Sequence, residues 1–217
     1  MAIVESAFST AVANLIDDPN SALWTAANLT TLIAATIDEK WGQLLNFAPY
    51  YRSTLETLTT APKLTSAGAI DIPQLANRFY RVQSIVRDGK VLDEARPQDL
   101  MMESAELISG AEDTYAFFGD LIYMFPLSGT TRTEIRYSSL PAMFSNAGTN
   151  LVWPDGHHSC LIFECAARAM TKGDREENAR LMNIAKEGWD NLLSAVKRRN
   201  MPLVPYDNRS GIEFGSV

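Results

Sequence analysis

Two glycine-containing dipeptides in the middle of the chain, Asp88-Gly89 and Gly119-Asp120, leave little choice of local structure around them. Each lies between short runs rich in branched and aromatic residues: 82–87 and 90–92 around the first, 115–118 and 121–125 around the second. Tight turns of two residues need positive φ, which glycine supplies without steric cost and which aspartate tolerates. The pattern therefore predicts two β-hairpins. Residues 132–137 add a strand by strict alternation, with Thr133, Ile135 and Tyr137 on one face and Arg132, Glu134 and Arg136 on the other. Residues 55–60 and 69–72 are expected to form a further pair, and Pro126 and Pro141 to punctuate the strands.

The flanks follow a different period. Val4, Phe8, Ala11, Val12 and Leu15 mark an amphipathic helix, broken at 17–20. Leu29, Ile33, Ile37, Trp41 and Leu44 mark a second, with Asn20 or Ser21 as its expected cap and an end before Pro49. After a loop at 145–156, residues 157–171 are apolar nearly all round, as in a helix buried between neighbours. Asp174, with Glu177 three residues on, reads as the capping box of a last helix. Its stripe is Met182, Ala185, Trp189, Leu192 and Val196. The expected fold class is α+β. A helical bundle from 1–51 and 142–199 carries a small inserted antiparallel β domain at 52–141 and an extended C-terminal tail at 200–217.

Charge narrows the function. Nineteen Lys and Arg against 26 Asp and Glu give a net −7, the wrong sign for gripping DNA or an anionic membrane. No apolar run approaches the roughly 20 residues of a membrane span, and no secretory signal is visible at the N-terminus. Cys160 and Cys165, five apart in an apolar stretch, read as core residues of a reducing compartment rather than a disulfide.

One cluster invites a chemical reading: Asp155, His157, His158, Ser159, Cys160, Glu164 and Cys165 contain every histidine and cysteine of the chain. The residue types suit zinc, but the spacing matches no established ligand pattern. The plainer reading is a helix start followed by two buried thiols. No nucleophile elbow or phosphate loop is present. Asp155 and Glu164 are the candidates for a glycosidase pair, the chemistry of a cell-wall-degrading enzyme. The acid pairs 17–18, 38–39 and 176–177 read as helix-end charges. Arg78, Arg81, Arg87, Arg132 and Arg136 read as a solvated face or interface rim. No catalytic residue, metal ligand or cofactor site is expected.

From Leu55 to Arg199 the order of features resembles the head–tail adaptor (connector) proteins of tailed bacteriophages, of the short-tailed type. The shared features are a strand at 55–60 and the Ile72-Pro73 step, then Phe79-Tyr80-Arg81-Val82 and Asp88-Gly89-Lys90. Arg96 to Leu100 follows, then Thr114-Tyr115-Ala116-Phe117, Gly119-Asp120 and Tyr123-Met124-Phe125-Pro126. Ile135-Arg136-Tyr137, an alanine-rich helix, Gly173-Asp174 and a long final helix complete the order. The resemblance implies a structural virion protein at the head–tail junction, assembled in the host cytoplasm. It implies a homo-oligomeric, twelve-subunit ring beneath the portal protein, extending the DNA channel and docking a tail nozzle or tail tube protein. Genomic DNA would pass through without specific binding. A tail-completion or stopper protein is the structural alternative, disfavoured by the long helices at both ends. Trp24, Trp41, Tyr50, Tyr51, Trp153 and Trp189 are expected to anchor interfaces or, for Trp189 at least, to pack in the core.

Overall fold

A computed structural model describes residues 3–18, 23–59, 63–65, 69–96, 113–125, 132–170 and 175–200. Helices α1 (Glu5–Leu15) and α2 (Ala26–Phe47) precede the strands, and α3 (His158–Ala169) and α4 (Arg175–Asn200) follow them. The strands are β1 (Ser53–Leu58), β2 (Ile70–Asp71), β3 (Arg78–Arg87), β4 (Lys90–Glu94), β5 (Thr114–Phe118), β6 (Leu121–Phe125) and β7 (Thr133–Leu140). The chain is α+β.

The α1–α2 connection is closed by Asp18, whose carboxylate accepts the backbone N–H groups of Leu23 and Trp24 at 2.7–3.1 Å. Thr25, not Asn20 or Ser21, caps α2, its hydroxyl accepting from Asn28 N–H at 3.2 Å. The expected caps at 20 and 21 lie outside the described residues, as does Asp174. The α2 stripe is as the periodicity predicts, with Leu29, Ile33, Ile37, Trp41 and Leu44 all buried. On α4 the seam is shifted by one residue at its start. Leu181 is fully buried and Met182 is exposed, because a spacing of four from Ala185 keeps the position on the α3-facing side.

One hydrophobic cluster joins residues between Phe8 and Ala48 to residues between Phe144 and Val196, uniting all four helices. Gly188 of α4 permits the close approach of α3, since a Cβ there would stand 2.8 Å from the Cβ of Cys160. A second cluster, with Leu58, Ile85, Leu92, Ile122, Met124, Ile135 and Tyr137, lies within the sheet.

Both hairpins form as the turn residues require. Asp88 and Gly89 both have positive φ (51° and 83°), the signature of a type I′ turn. In the second hairpin Gly119 has φ +61°. The sheet nevertheless corrects two expectations. Its order is β1-β7-β3-β4-β5-β6-β2, so β1 and β2 are not partners: β1 pairs with β7, and β2 with β6. Nor is the sheet wholly antiparallel. β4 and β5 run parallel through Asp93↔Thr114 and Glu94↔Tyr115, which the long connection between them allows. The result is a curled mixed sheet. The expected tail at 200–217 lies almost entirely outside the described residues.

Candidate functional site

The most elaborate polar construction among the described residues is the joint between the helices and the sheet, and its organiser is α2. Asp38, Glu39 and Lys40 follow one another in the middle of that helix, so successive side chains diverge by about 100°. Each meets a different element. Asp38 accepts a bidentate pair from Arg78 of β3 at 2.8 and 3.0 Å, and Arg78 also donates to Pro141 O at 2.9 Å. Glu39 receives Arg168 of α3 at 2.6 and 3.0 Å. Lys40 lies 3.5 Å from Glu164 of α3 and 5.1 Å from the centroid of the Trp189 ring on α4. These acids are therefore bound mid-helix, and the helix-end reading of the 38–39 pair is corrected.

Arg168 is the hub of the α2–α3 contact, since it also donates to Glu164 at 2.9 and 3.0 Å. The Glu39 hydrogen bond, with Glu164 in support, pushes its guanidinium well above its ordinary value. The same bond holds the Glu39 carboxyl below the usual carboxylate range.

The sheet's contribution comes from two β-bulges. The β3–β7 register skips between Phe79 and Arg81 and again between Val82 and Ser84, leaving Tyr80 and Gln83 as the inserted residues. Bulges re-aim side chains, and both of these reach the α2 side. The Tyr80 hydroxyl donates to Gly42 O at 3.0 Å, and Gln83 Nε2 donates to Pro49 O at 2.7 Å. Ser138 Oγ also donates to Pro49 O. Arg52 closes the joint, donating Nε–H to Ser139 O at 3.2 Å and standing 5.5 Å from the Trp41 ring centroid.

The chemically suggestive cluster is placed at the start of α3 and dispersed. His157 occupies the N-cap position, and its carbonyl accepts Trp153 Nε1–H at 3.0 Å and the Cys160 thiol at 2.8 Å. Burial pushes the Cys160 thiol up to about 11 and that of Cys165 up to about 12, so neither is a thiolate at neutral pH. His158 is buried, with its Nε2 lacking a partner, and burial lowers its pKa against the pull of Asp155. Asp155 and Ser159 are exposed, whereas Glu164 is buried against Lys40 and Arg168. Asp155 and Glu164 thus lie in different surroundings, one solvent-exposed and one buried in ion pairs. Among the described residues, no group of three or more His, Cys, Asp or Glu could hold a metal ion.

Within the sheet, Glu56 accepts hydrogen bonds from Lys63, from Ala76 N–H at 3.2 Å and from the Tyr137 hydroxyl at 3.0 Å. Burial alone would raise its pKa, but these donors outweigh it and hold the carboxyl below the usual range. The aromatic residues divide the other way from an interface reading. Trp41 packs edge-on to Trp153 at 5.2 Å, Trp153 stacks on Trp189 at 6.2 Å, and Trp41 meets Tyr51 at 6.2 Å. Trp24 packs partly buried against the same core. Only Tyr50 of the six is well exposed.

The joint is thus a set of struts in which Asp38, Glu39 and Glu164 are each met by a cation and Arg52 by a carbonyl and a ring face. A match to the SU10 adaptor protein family extends over residues 6–206, nearly the whole chain. The chain belongs to that family. It is therefore a phage adaptor protein, as the resemblance over 55–199 implies. The family is one of structural virion components, and no helix of the described residues is long and apolar enough to cross a membrane. No curated protein matches the chain.

Joint residues are hard to read from sequence because their partners are remote. Arg78 and Asp38 are 40 residues apart, and Arg168 and Glu39 are 129 apart. The local signal is ambiguous: strict alternation in residues 78–87 breaks at Phe79-Tyr80 and Gln83-Ser84, where the bulges occur, but also at Ile85-Val86, where the register is regular.

Proposed function

We propose that this adaptor serves a short-tailed phage as the ring beneath the portal, extending the DNA channel and offering the platform for a tail nozzle or tail tube protein. The family match over 6–206 carries the reading. Twelve copies would form the ring, contacts between copies would be its working surface, and DNA would pass along an acidic wall that does not hold it. In this reading, 1–51 with 142–199 forms the helical unit, 52–141 forms the β unit, and 200–217 docks on the portal. The paired charges and bulge-borne hydrogen bonds of the joint suit this role, because a ring subunit must keep its two parts at a fixed angle.

The test is electron microscopy of the purified chain, alone and mixed with the portal ring encoded beside it. The expected result is a ring on the portal, or a portal lengthened at its tail-facing end. A chain that ignores the portal overturns the proposal. Removal of 200–217 should abolish portal binding while far-UV circular dichroism is unchanged.

A further inference from the structure

Among the described residues, β1 is a sheet edge with little of the usual protection. It pairs with β7 on one side, in a six-residue register free of bulges, and is the last strand of the sheet on the other. Natural edge strands are blunted by proline, by lysine, by bulges or by extreme shortness. The sequence Ser53-Thr54-Leu55-Glu56-Thr57-Leu58 has none of these, and of the remaining device, an inward-pointing charge, it has only Glu56, whose charge is matched by Lys63. Its one charge, Glu56, is turned inward to Lys63, Ala76 and Tyr137. Its large outer-face side chain is Leu55, 57% exposed.

Which backbone groups face outward follows from two observations on either side of β7. Ser139 N–H donates to Arg52 O at 3.0 Å, which fixes Arg52, and by alternation Thr54, Glu56 and Leu58, as the residues bonded toward β7. Asp88 N–H reaches Arg132 O, which by the same alternation turns Glu134 and Arg136 toward β3 and leaves Thr133, Ile135 and Tyr137 for β1. The two agree. Ser53, Leu55 and Thr57 therefore present their N–H and C=O groups to the open edge.

That edge is complementary to itself. We propose that the free chain associates with a second copy of itself through antiparallel β1–β1 pairing, centred on Leu55. A two-fold axis through Leu55 sets Leu55 against Leu55, and Ser53 against Thr57 of the second copy. Each facing pair exchanges two backbone hydrogen bonds, giving about six in all. Leucine meets leucine on the outer face, and no like charges stand directly opposite one another. An isologous contact closes at two copies. It is thus distinct from the head-to-tail contacts of a ring and does not depend on the proposed function. The contact is small, so the association is weak and concentration-dependent.

Sedimentation equilibrium of the full chain over a wide concentration range tests this, together with residue-resolved amide exchange. A monomer–dimer equilibrium is expected, with the Ser53, Leu55 and Thr57 amides becoming protected as the dimer fills. Thr54 and Glu56, bonded to β7, should be protected at every concentration. Leu55→Lys should raise the dimer dissociation constant at least about tenfold. Leu55→Pro, which deletes only an outward N–H, should do the same, with circular dichroism and Glu56 protection confirming the fold. Edge amides that exchange equally fast at low and high concentration overturn the proposal. So does a dimer that survives both substitutions. Portal binding is scored separately: its loss or retention in these variants bears on the ring and leaves the β1 result standing.

Discussion

The approach of α4 to α3 at Gly188 gives an opportunity to reverse a familiar sign. In a helix interior, Gly→Ala ordinarily stabilises by about 1 kcal/mol, because alanine loses less backbone entropy. At Gly188 the new Cβ would stand 2.8 Å from Cys160 Cβ and 3.5 Å from Cys160 Cα. Carbon atoms attract best at about 3.5–4.0 Å, so the overlap is roughly 1 Å. The obstacle is the root of the cysteine beside its backbone and cannot rotate away. Relief needs the two helices to separate, and overpacking of this kind costs about 1–3 kcal/mol. The unyielding contact favours the upper part of that range, so Gly188→Ala should destabilise by about 1–2 kcal/mol net. For a chain of this size each kcal/mol moves Tm by about 2–4 °C, so thermal unfolding should show a fall of about 2–8 °C. The pairwise control is specific. Cys160→Ala keeps its Cβ and should not relieve the second substitution, whereas Cys160→Gly should, with a favourable coupling of about 2–3 kcal/mol in the double-mutant cycle, the full overpacking cost. A rise in Tm for Gly188→Ala, or equal behaviour of the two Cys160 variants, would refute the close crossing.

Two further outcomes are expected. Arg168→Ala should cost about 1–2 kcal/mol in urea unfolding, because buried Glu164 keeps only Lys40, whereas Glu39→Gln, at a half-exposed site, should cost less than about 1 kcal/mol. Equal losses would show that Arg168 does not act through Glu164. The Glu56 carboxyl has a depressed folded-state pKa, so its contribution is present above the unfolded carboxylate range and lost as pH falls through the folded value. Glu56→Gln should therefore flatten the acid limb of stability against pH, and an unchanged slope below about pH 4.3 would remove Glu56 as its source.

Much of the local structure was legible in order along the chain. The hairpins at Asp88-Gly89 and Gly119-Asp120 form where their turn chemistry requires. Thr133, Ile135 and Tyr137 are fully buried, as alternation predicts. The α2 stripe holds from Leu29 to Leu44. The joint was not legible: the acids at 38–39 read as helix-end charges and Arg78 as part of a solvated face or rim, a reading that the exposed Arg81, Arg132 and Arg136 do fit. A charge has no period that reveals its partner.

Sequence alone determined the helices, the hairpins and the buried faces of α2 and β7, because these rest on turn stereochemistry and on periods of 3.6 and 2. Tertiary structure alone decided that β1 joins β7 rather than β2, and that β4 and β5 run parallel. It also decided that Tyr80 and Gln83 bulge toward α2 and that Arg168 bridges two acids. These depend on contacts between residues far apart in the chain, whose geometry exists only once the core has closed.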